Sequence, residues 1–238
     1  MVVSSRGYSQ ETLGCPDEGD ALWEAYAKVY VIMQRVPFVV ELRQRHARAM
    51  EGLDHILDAG CGPGLISEEL SKDKRKMLVS ADSSRGMLEV ARKRLKGAKN
   101  INLHQADVGK LPYRDQSFDG YVSNNVLYYL SDPRKVISEA VRVTRPGGII
   151  SIASARPGIN IEVLVNGFMG WLEQSHYAVS EKELAVFFDI NRKLGEQGMR
   201  NVYEPPEISG LLLESGFREI LCQETAYLGQ DFYVAARR

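Results

Sequence analysis

The sequence predicts an α/β fold built on a seven-strand, mostly parallel sheet whose last strand runs antiparallel, with helices on both faces. Three observations carry this. Short apolar runs of strand length alternate with amphipathic stretches of helical period between residues 55 and 155, which demands crossover connections and parallel strands. A glycine cluster, Gly60 to Gly64, sits where the first of those strands gives way to a helix. The chain ends in two strand-like runs joined by a short turn, the pattern of an antiparallel hairpin.

The 238 residues suit one large domain or one domain with an insertion. Hydrophobic residues make up 44% and charged residues 26%, so the chain can bury a substantial core, and whole-chain disorder is excluded. A net charge of -1 and a pI near 6.5 leave no basic footprint for a phosphate backbone, so no nucleic-acid partner is expected. Cys15, Cys61 and Cys222 are an odd, widely spaced set without a C-x-x-C pair, which fits a reducing cytoplasm. No apolar run approaches the roughly 20 residues that span a bilayer, and the N-terminus lacks the apolar core of a signal peptide.

Residues 1–18 are polar and read as a mobile tail. Residues 19–50 read as two N-terminal helices: Leu22, Tyr26, Val29, Tyr30 and Met33 share a helical face, Pro37 breaks the run, and Phe38, Leu42, Ala49 and Met50 resume it. HILDAG (55–60) is the first strand, followed by a helix with Pro63 near its start. MLVSAD (77–82) is the second. Ser83 or Ser84 caps the next helix, which buries Met87, Leu88, Ala91 and Leu95 and stops at Gly97. INLHQAD (101–107) and FDGYVSNN (118–125) are the third and fourth strands. Asp132 and Pro133 open a helix with Val136, Ile137, Ala140 and Val141 on one face, ended by Pro146, and GGIISIAS (147–154) is the fifth strand. Residues 51–155 thus form a binding core.

Residues 156–203 interrupt the alternation with two helices, about 160–176 and one starting at the Ser180–Glu183 capping box that turns Leu184, Phe187, Phe188 and Leu194 inward. Inserted after the fifth strand, they read as a helical cap. Residues 204–238 complete the sheet: a helix opened by Pro205-Pro206 and closed by Gly216, then the hairpin.

The chemistry starts at Asp58-Ala59-Gly60-Cys61-Gly62-Pro63-Gly64. Glycines there let backbone approach a ligand, and the helix N-terminus suits an anionic group such as a phosphate or carboxylate. A dinucleotide fingerprint wants Gly-x-Gly-x-x-Gly, but Leu65 stands at its third glycine. Asp82, at the end of the second strand, lies at the interval of a ribose-binding acid. No metal-ligand cluster appears: no His-x-His, paired Cys or His-Glu-x-x-His.

With ILDAGCGPG, VSADSSRGMLEVAR, QADVGKLPYRDQSFDGYVSNNVLYYLSDP and RPGG in order, residues 50–155 resemble the class I S-adenosylmethionine-dependent methyltransferases, in particular the small-molecule branch similar to ubiquinone/menaquinone methyltransferases. The resemblance implies a Rossmann-like domain with S-adenosyl-L-methionine as cofactor and a small-molecule acceptor with an O, C or N nucleophile, and the aromatic and aliphatic content of the cap (Phe168, Met169, Trp171, Phe187, Phe188) suggests that the acceptor is apolar. It implies that the first turn (Asp58, Gly60, Cys61, Gly62, Leu65) holds the methionine portion, Asp82 the ribose and Asp107-Val108 the adenine, with Ser83 and Met87 as further cofactor-binding candidates. Asn124 and Asn125 would lie beside the donor and acceptor. Two departures stand out. Leu127-Tyr128-Tyr129-Leu130 replaces the family's frequent Leu-His-His-Leu, and no Asn/Asp-Pro-Pro-Tyr follows the fourth strand.

Aromatic faces attract a sulfonium as they would any cation, which makes Tyr26, Tyr30 and Tyr128 wall candidates. A base is needed only for an acceptor that must lose a proton. His46, in a basic helix, reads as solvated. His55 and His104 lie before the site ends of their strands. That leaves His176 in the cap and Tyr128 as the catalytic candidates. The N-terminal helices read as a lid over the cofactor, and a monomer or homodimer is expected. Two rivals are a cofactor-binding protein without methyl transfer and a nicotinamide-dependent oxidoreductase.

Overall fold

The computed structural model describes Tyr26, residues 30–196 and residues 199–238; residues 1–18, read as a tail, and most of the stretch read as the first N-terminal helix lie outside the described residues. A 3-10 turn, Val31–Arg35, leads into α1, Pro37–Ala49. Pro37 occupies the first turn of α1, where its missing N–H costs nothing, so it starts this helix as well as ending the preceding run. Then come β1 (His55–Ala59), α2 (Leu65–Leu70), β2 (Met77–Asp82), α3 (Arg85–Arg94), β3 (Ile101–Gln105), β4 (Phe118–Asn124) and α4 (Pro133–Val143). β5 (Thr144–Ala155), α5 (Ile161–Ser175), α6 (Glu181–Glu196), α7 (Pro205–Glu214), β6 (Glu219–Ala226) and β7 (Asp231–Arg237) complete the chain.

The strands form one sheet in the order β3-β2-β1-β4-β5-β7-β6. β1 to β5 are mutually parallel, and β7 runs antiparallel between β5 and β6. The strand order reverses between β1 and β4. That switch point opens a crevice at the carboxyl ends of those two strands, where open α/β sheets bind ligands.

Successive side chains of β1 leave on opposite faces, as the strand period requires. Leu57 and Ala59 join Tyr121, Ile137, Ala140, Ile208 and Leu212 under α4 and α7, whereas Ile56 joins Met50, Ile66, Leu70 and Leu78 under α1 and α2. Helices therefore cover both faces. Local signals act as read: the Ser84 hydroxyl accepts the Met87 N–H, and the Asp132 carboxylate accepts the Lys135 N–H. Ser180 and Glu183 exchange reciprocal bonds ahead of α6.

Several boundaries differ from the sequence reading: β3 ends at Gln105 and β4 at Asn124, earlier than read. α4 stops at Val143, before Pro146, and α3 at Arg94, before Gly97. β5 begins at Thr144 opposite Phe118, then bulges through residues 145–148 before Ile149 pairs with Gly120. The bulge absorbs Pro146, which can donate nothing to a ladder.

α5 and α6 form a third apolar cluster with the N-terminal segment. Phe168 and Phe187 pack with Ile32, Met33, Phe38 and Tyr227. Ile190 faces inward with Phe187, and the Leu194 side chain lies outside the described residues. No helix among the described residues is long and apolar enough to cross a membrane.

Candidate cofactor and acceptor site

The glycine turn folds over the end of β2: the N–H groups of Gly60 and Cys61 both donate to the Ala81 carbonyl, at 2.8 and 2.9 Å. Gly60 has φ +75°, and a Cβ there would stand 2.3 Å from a Val126 methyl, so only glycine fits. Gly62, at φ +51°, would meet nothing closer than the Met87 sulfur at 3.9 Å; its backbone faces open space.

Asp82 ties this turn to the next strand end. One carboxylate oxygen accepts the Gly62 N–H at 2.8 Å and the other the Ser84 N–H at 2.9 Å. Beneath the turn Asp58 is buried and accepts a 2.5 Å bond from the Ser67 hydroxyl. Burial, reinforced by the nearby Asp82 charge against the Ser67 bond, pushes the Asp58 carboxyl up to about 7. The Cys61 thiol is buried as well and pushed up by desolvation, so it is a packed thiol rather than a nucleophile. Further along the crevice, Asp107 accepts the Gly109 N–H at 2.8 Å beside the buried Val108.

A cavity of about 570 Å³ lies over the switch point, within the range of about 300–1,000 Å³ usual for small-molecule sites. Its lining includes all fourteen residues assigned to cofactor from sequence: Tyr26, Tyr30, Asp58, Gly60, Cys61, Gly62, Leu65, Asp82, Ser83, Met87, Asp107, Val108, Asn124 and Asn125. Tyr128 lines it too. Another hollow of about 600 Å³, bounded by Arg48, Glu69, Arg75 and Lys76, lies on the α1–α2 side and holds none of these residues.

The structure also brings in residues that the sequence reading missed. Arg43 of α1 lines the cavity, and its Nε is buried without a hydrogen-bond partner among the described residues. Tyr129 and Tyr227 join Tyr26, Tyr30 and Tyr128 to make a wall of five tyrosines. The Tyr26 and Tyr30 rings stand 5.1 Å apart and those of Tyr128 and Tyr129 4.1 Å. Periodicity places Tyr26 and Tyr30 inward, but nothing local signals Tyr227, which arrives from the β6–β7 connection about 200 residues later. Burial pushes the Tyr128 hydroxyl far up, so it stays protonated and can donate a hydrogen bond but not take a proton.

Two histidine readings are corrected. His46 is not solvated: it is fully buried between α1 and the sheet, with Nδ1 2.8 Å from the Ser151 hydroxyl and Nε2 3.3 Å from the Asn124 side-chain oxygen. Its edge meets the Tyr233 ring at 5.3 Å. Desolvation pulls the imidazole down to about 4 against the opposing Asn124 bond, so it is neutral at pH 7 and holds Asn124 in place. The basic residues around it in sequence point elsewhere, because a helix turns by 100° per residue. His176, the other catalytic candidate, is exposed at the C-cap of α5 in a left-handed conformation and does not reach the cavity. Among the described residues, none of 156–203 lines the cavity.

The donor set fits S-adenosylmethionine. A glycine cradle, an unpartnered arginine Nε suited to a carboxylate, a strand-end acid suited to a ribose diol and a second acid beside an apolar slot follow one another along one cavity.

Comparison with known proteins agrees. Residues 57–152 match the family described as a methyltransferase domain. A demethylmenaquinone methyltransferase of Clavibacter sepedonicus is 40% identical over 99 residues, 42% of this chain and 40% of that protein. Its counterpart in Paenarthrobacter aurescens is 31% identical over 143 residues, 58% of this chain and 55% of that protein. The chain thus spans about half the length of these relatives or less. Among solved structures, a SAM-dependent methyltransferase from Aquifex aeolicus superposes with a TM-score of 0.60 at 19% identity, covering 88% of this chain and 97% of that one. The N-methyltransferase NodS from Bradyrhizobium japonicum, solved with S-adenosyl-L-homocysteine, gives 0.59 at 19% identity over 90% and 98%. Residues 57–152 thus match a methyltransferase domain, and the chain is similar to class I S-adenosylmethionine-dependent methyltransferases.

Proposed function

We propose that this protein transfers the methyl group of S-adenosylmethionine to a small molecule. One observation carries the reading: the glycine turn, Asp82, Asp107 and the tyrosine wall line a single cavity at the β1–β4 switch point. The bound cofactor supplies an activated, electrophilic methyl group. The chain's part is to bind, orient and keep dry. Asp82 serves the ribose hydroxyls while fixing Gly62, Asp107 and Val108 serve the adenine, and Arg43 neutralises the amino-acid carboxylate. Tyr26, Tyr30 and Tyr128 would offer ring faces to the positive end, and their bulk would keep water from it.

In this reading the N-terminal segment carrying Tyr26 and Tyr30 is the lid. Residues 156–203 act as a buttress behind it: Gly167 lies against Phe38 and Leu228, and Phe38 meets Tyr227 edge-on at 5.2 Å. The reading includes a cytoplasmic monomer or homodimer with no nucleic-acid partner, in keeping with the net charge of -1.

A protein of the same fold, the [4+2]-cyclase SpnF, superposes with a TM-score of 0.62, so the fold also serves a protein described by another reaction. Incubation with methyl-labelled S-adenosylmethionine and fractionated metabolites separates the readings. Methyl transfer predicts label in a small molecule together with S-adenosylhomocysteine. Cofactor binding without label in any fraction favours a repurposed binding protein.

A further inference from the structure

α3 ends in a basic run, Arg92, Lys93 and Arg94. Arg92 and Lys93 face solvent, whereas the Arg94 side chain turns inward and is 9% exposed. Its guanidinium joins three segments. Nε donates to the Pro63 carbonyl, inside the glycine turn, at 2.9 Å. Nη1 donates to the Gln34 side-chain oxygen at 2.9 Å and to the Glu68 carboxylate of α2 at 3.1 Å. Nε carries one hydrogen and Nη1 two, so each of the three bonds has its own proton. Ala91 and Leu95, on either side of Arg94, press on the same turn: a Cβ on Gly64 would stand 3.3 and 3.1 Å from their side chains. The end of α3 and the glycine turn are therefore one packed unit.

Gln34 lies in the 3-10 turn Val31–Arg35, whose N-cap is Tyr30. Ile32, Met33 and Val36 of that segment are buried in the apolar cluster shared with α5 and α6. Gln34 ties the segment to the glycine turn instead, through Arg94. Tyr30 and Pro63 line the cavity, and Gln34, Glu68 and Arg94 do not. We propose that Arg94 is a positioning residue: by holding Gln34 and Pro63 at once, it fixes the Tyr30 wall of the cavity against the glycine turn, so that a cofactor meets both as one preorganised surface. This rests on the cofactor reading and adds to it the residue that couples the two walls. A ligand that touches both walls binds only while the Tyr30 turn is in place, so its affinity falls with the fraction of time the turn spends there.

Gln34→Ala removes the link to the turn and leaves Arg94 bonded to Pro63 and Glu68. The lost bond is charge-assisted, and its loss shifts the balance between placed and displaced turn by about tenfold. In the ligand-free protein, amide exchange followed by mass spectrometry should show protection across residues 30–35 falling by about that factor. Calorimetric titration should show S-adenosylhomocysteine binding about three- to tenfold more weakly. Protection across α3 and the thermal midpoint should stay at wild-type values, which a merely structural role would move. Arg94→Lys keeps the charge but has a single nitrogen to reach three acceptors; it should reproduce both losses, and adding Gln34→Ala to it should change neither further. The exchange pair Gln34→Glu with Glu68→Gln keeps one carboxylate and one amide on Nη1 and should restore wild-type behaviour. Unchanged protection in Gln34→Ala, reduced protection with wild-type affinity, or additive losses in the double variant overturns the proposal. Failure of S-adenosylhomocysteine to bind the wild type overturns the cofactor reading, and this proposal with it.

Discussion

Replacing Asp82 with alanine probes the cofactor site at its most connected point. The carboxylate bonds Gly62 and Ser84 at 2.8 and 2.9 Å, and a carboxylate has about four lone-pair sites, enough to serve a diol as well as the loop. A charge-assisted hydrogen bond contributes about 1.5–3 kcal/mol. Loss of one such bond to the ribose weakens S-adenosylhomocysteine about ten- to a hundredfold, and release of the Gly62 N–H moves the loss toward the upper end. The fold should survive, because α3 keeps its own cap from Ser84 to Met87. Asp82→Asn, with one acceptor oxygen left, should fall between. Calorimetric titration of each variant, with a thermal melt as control, reads this directly. A folded Asp82→Ala protein that binds S-adenosylhomocysteine within threefold of the wild type would refute the assignment.

The other predictions concern the buried groups and the turn. His46 has its folded-state pKa depressed from 6.5 to about 4, so its contribution is complete above pH 6.5 and is lost as pH falls to about 4, at most about 3 kcal/mol. Denaturant melts of His46→Gln should lack that loss relative to wild type. Asp231 has its pKa raised from 3.8 to about 7, so its contribution is complete below pH 3.8 and is lost as pH rises to about 7, at most about 4 kcal/mol. Asp231→Asn should flatten that decline, and an unchanged slope would place the carboxyl in water. Gly60→Ala should cost at least about 1–2 kcal/mol for its left-handed φ, plus the Val126 clash; adding Val126→Ala should recover only the clash. Amide exchange should slow across residues 30–35 when S-adenosylhomocysteine is added, and unchanged exchange at saturation would leave that segment a bystander.

The parts legible in the sequence are those set by neighbours along the chain. The Ser84 cap, the Ser180–Glu183 box, the strand alternation and the glycine turn are local, and they place Asp58, Asp82 and Asp107 at strand ends without further help. The parts that were not legible depend on which elements meet. His46 looks solvated in a basic helix until α1 packs it against Ser151 and Asn124. Arg43 is one of several arginines in α1, and only the crossing of α1 over the switch point distinguishes it from Arg45, which pairs with Glu41 and Glu224 at the surface. Tyr227 comes from the turn of the terminal hairpin, whose β7 inserts between β5 and β6, and so reaches the cavity. The cap shows the same limit from the other side: its helices were legible, but position after β5 did not dictate that they pack behind the cavity wall.

The central claim is that this cavity is built for S-adenosylmethionine and not for a dinucleotide. Calorimetric titration of the unmodified protein with S-adenosylhomocysteine and, separately, with NADH tests it most directly. The expected result is saturable binding of one S-adenosylhomocysteine per chain and no heat from NADH. Tight NADH binding, with none for S-adenosylhomocysteine, would contradict it.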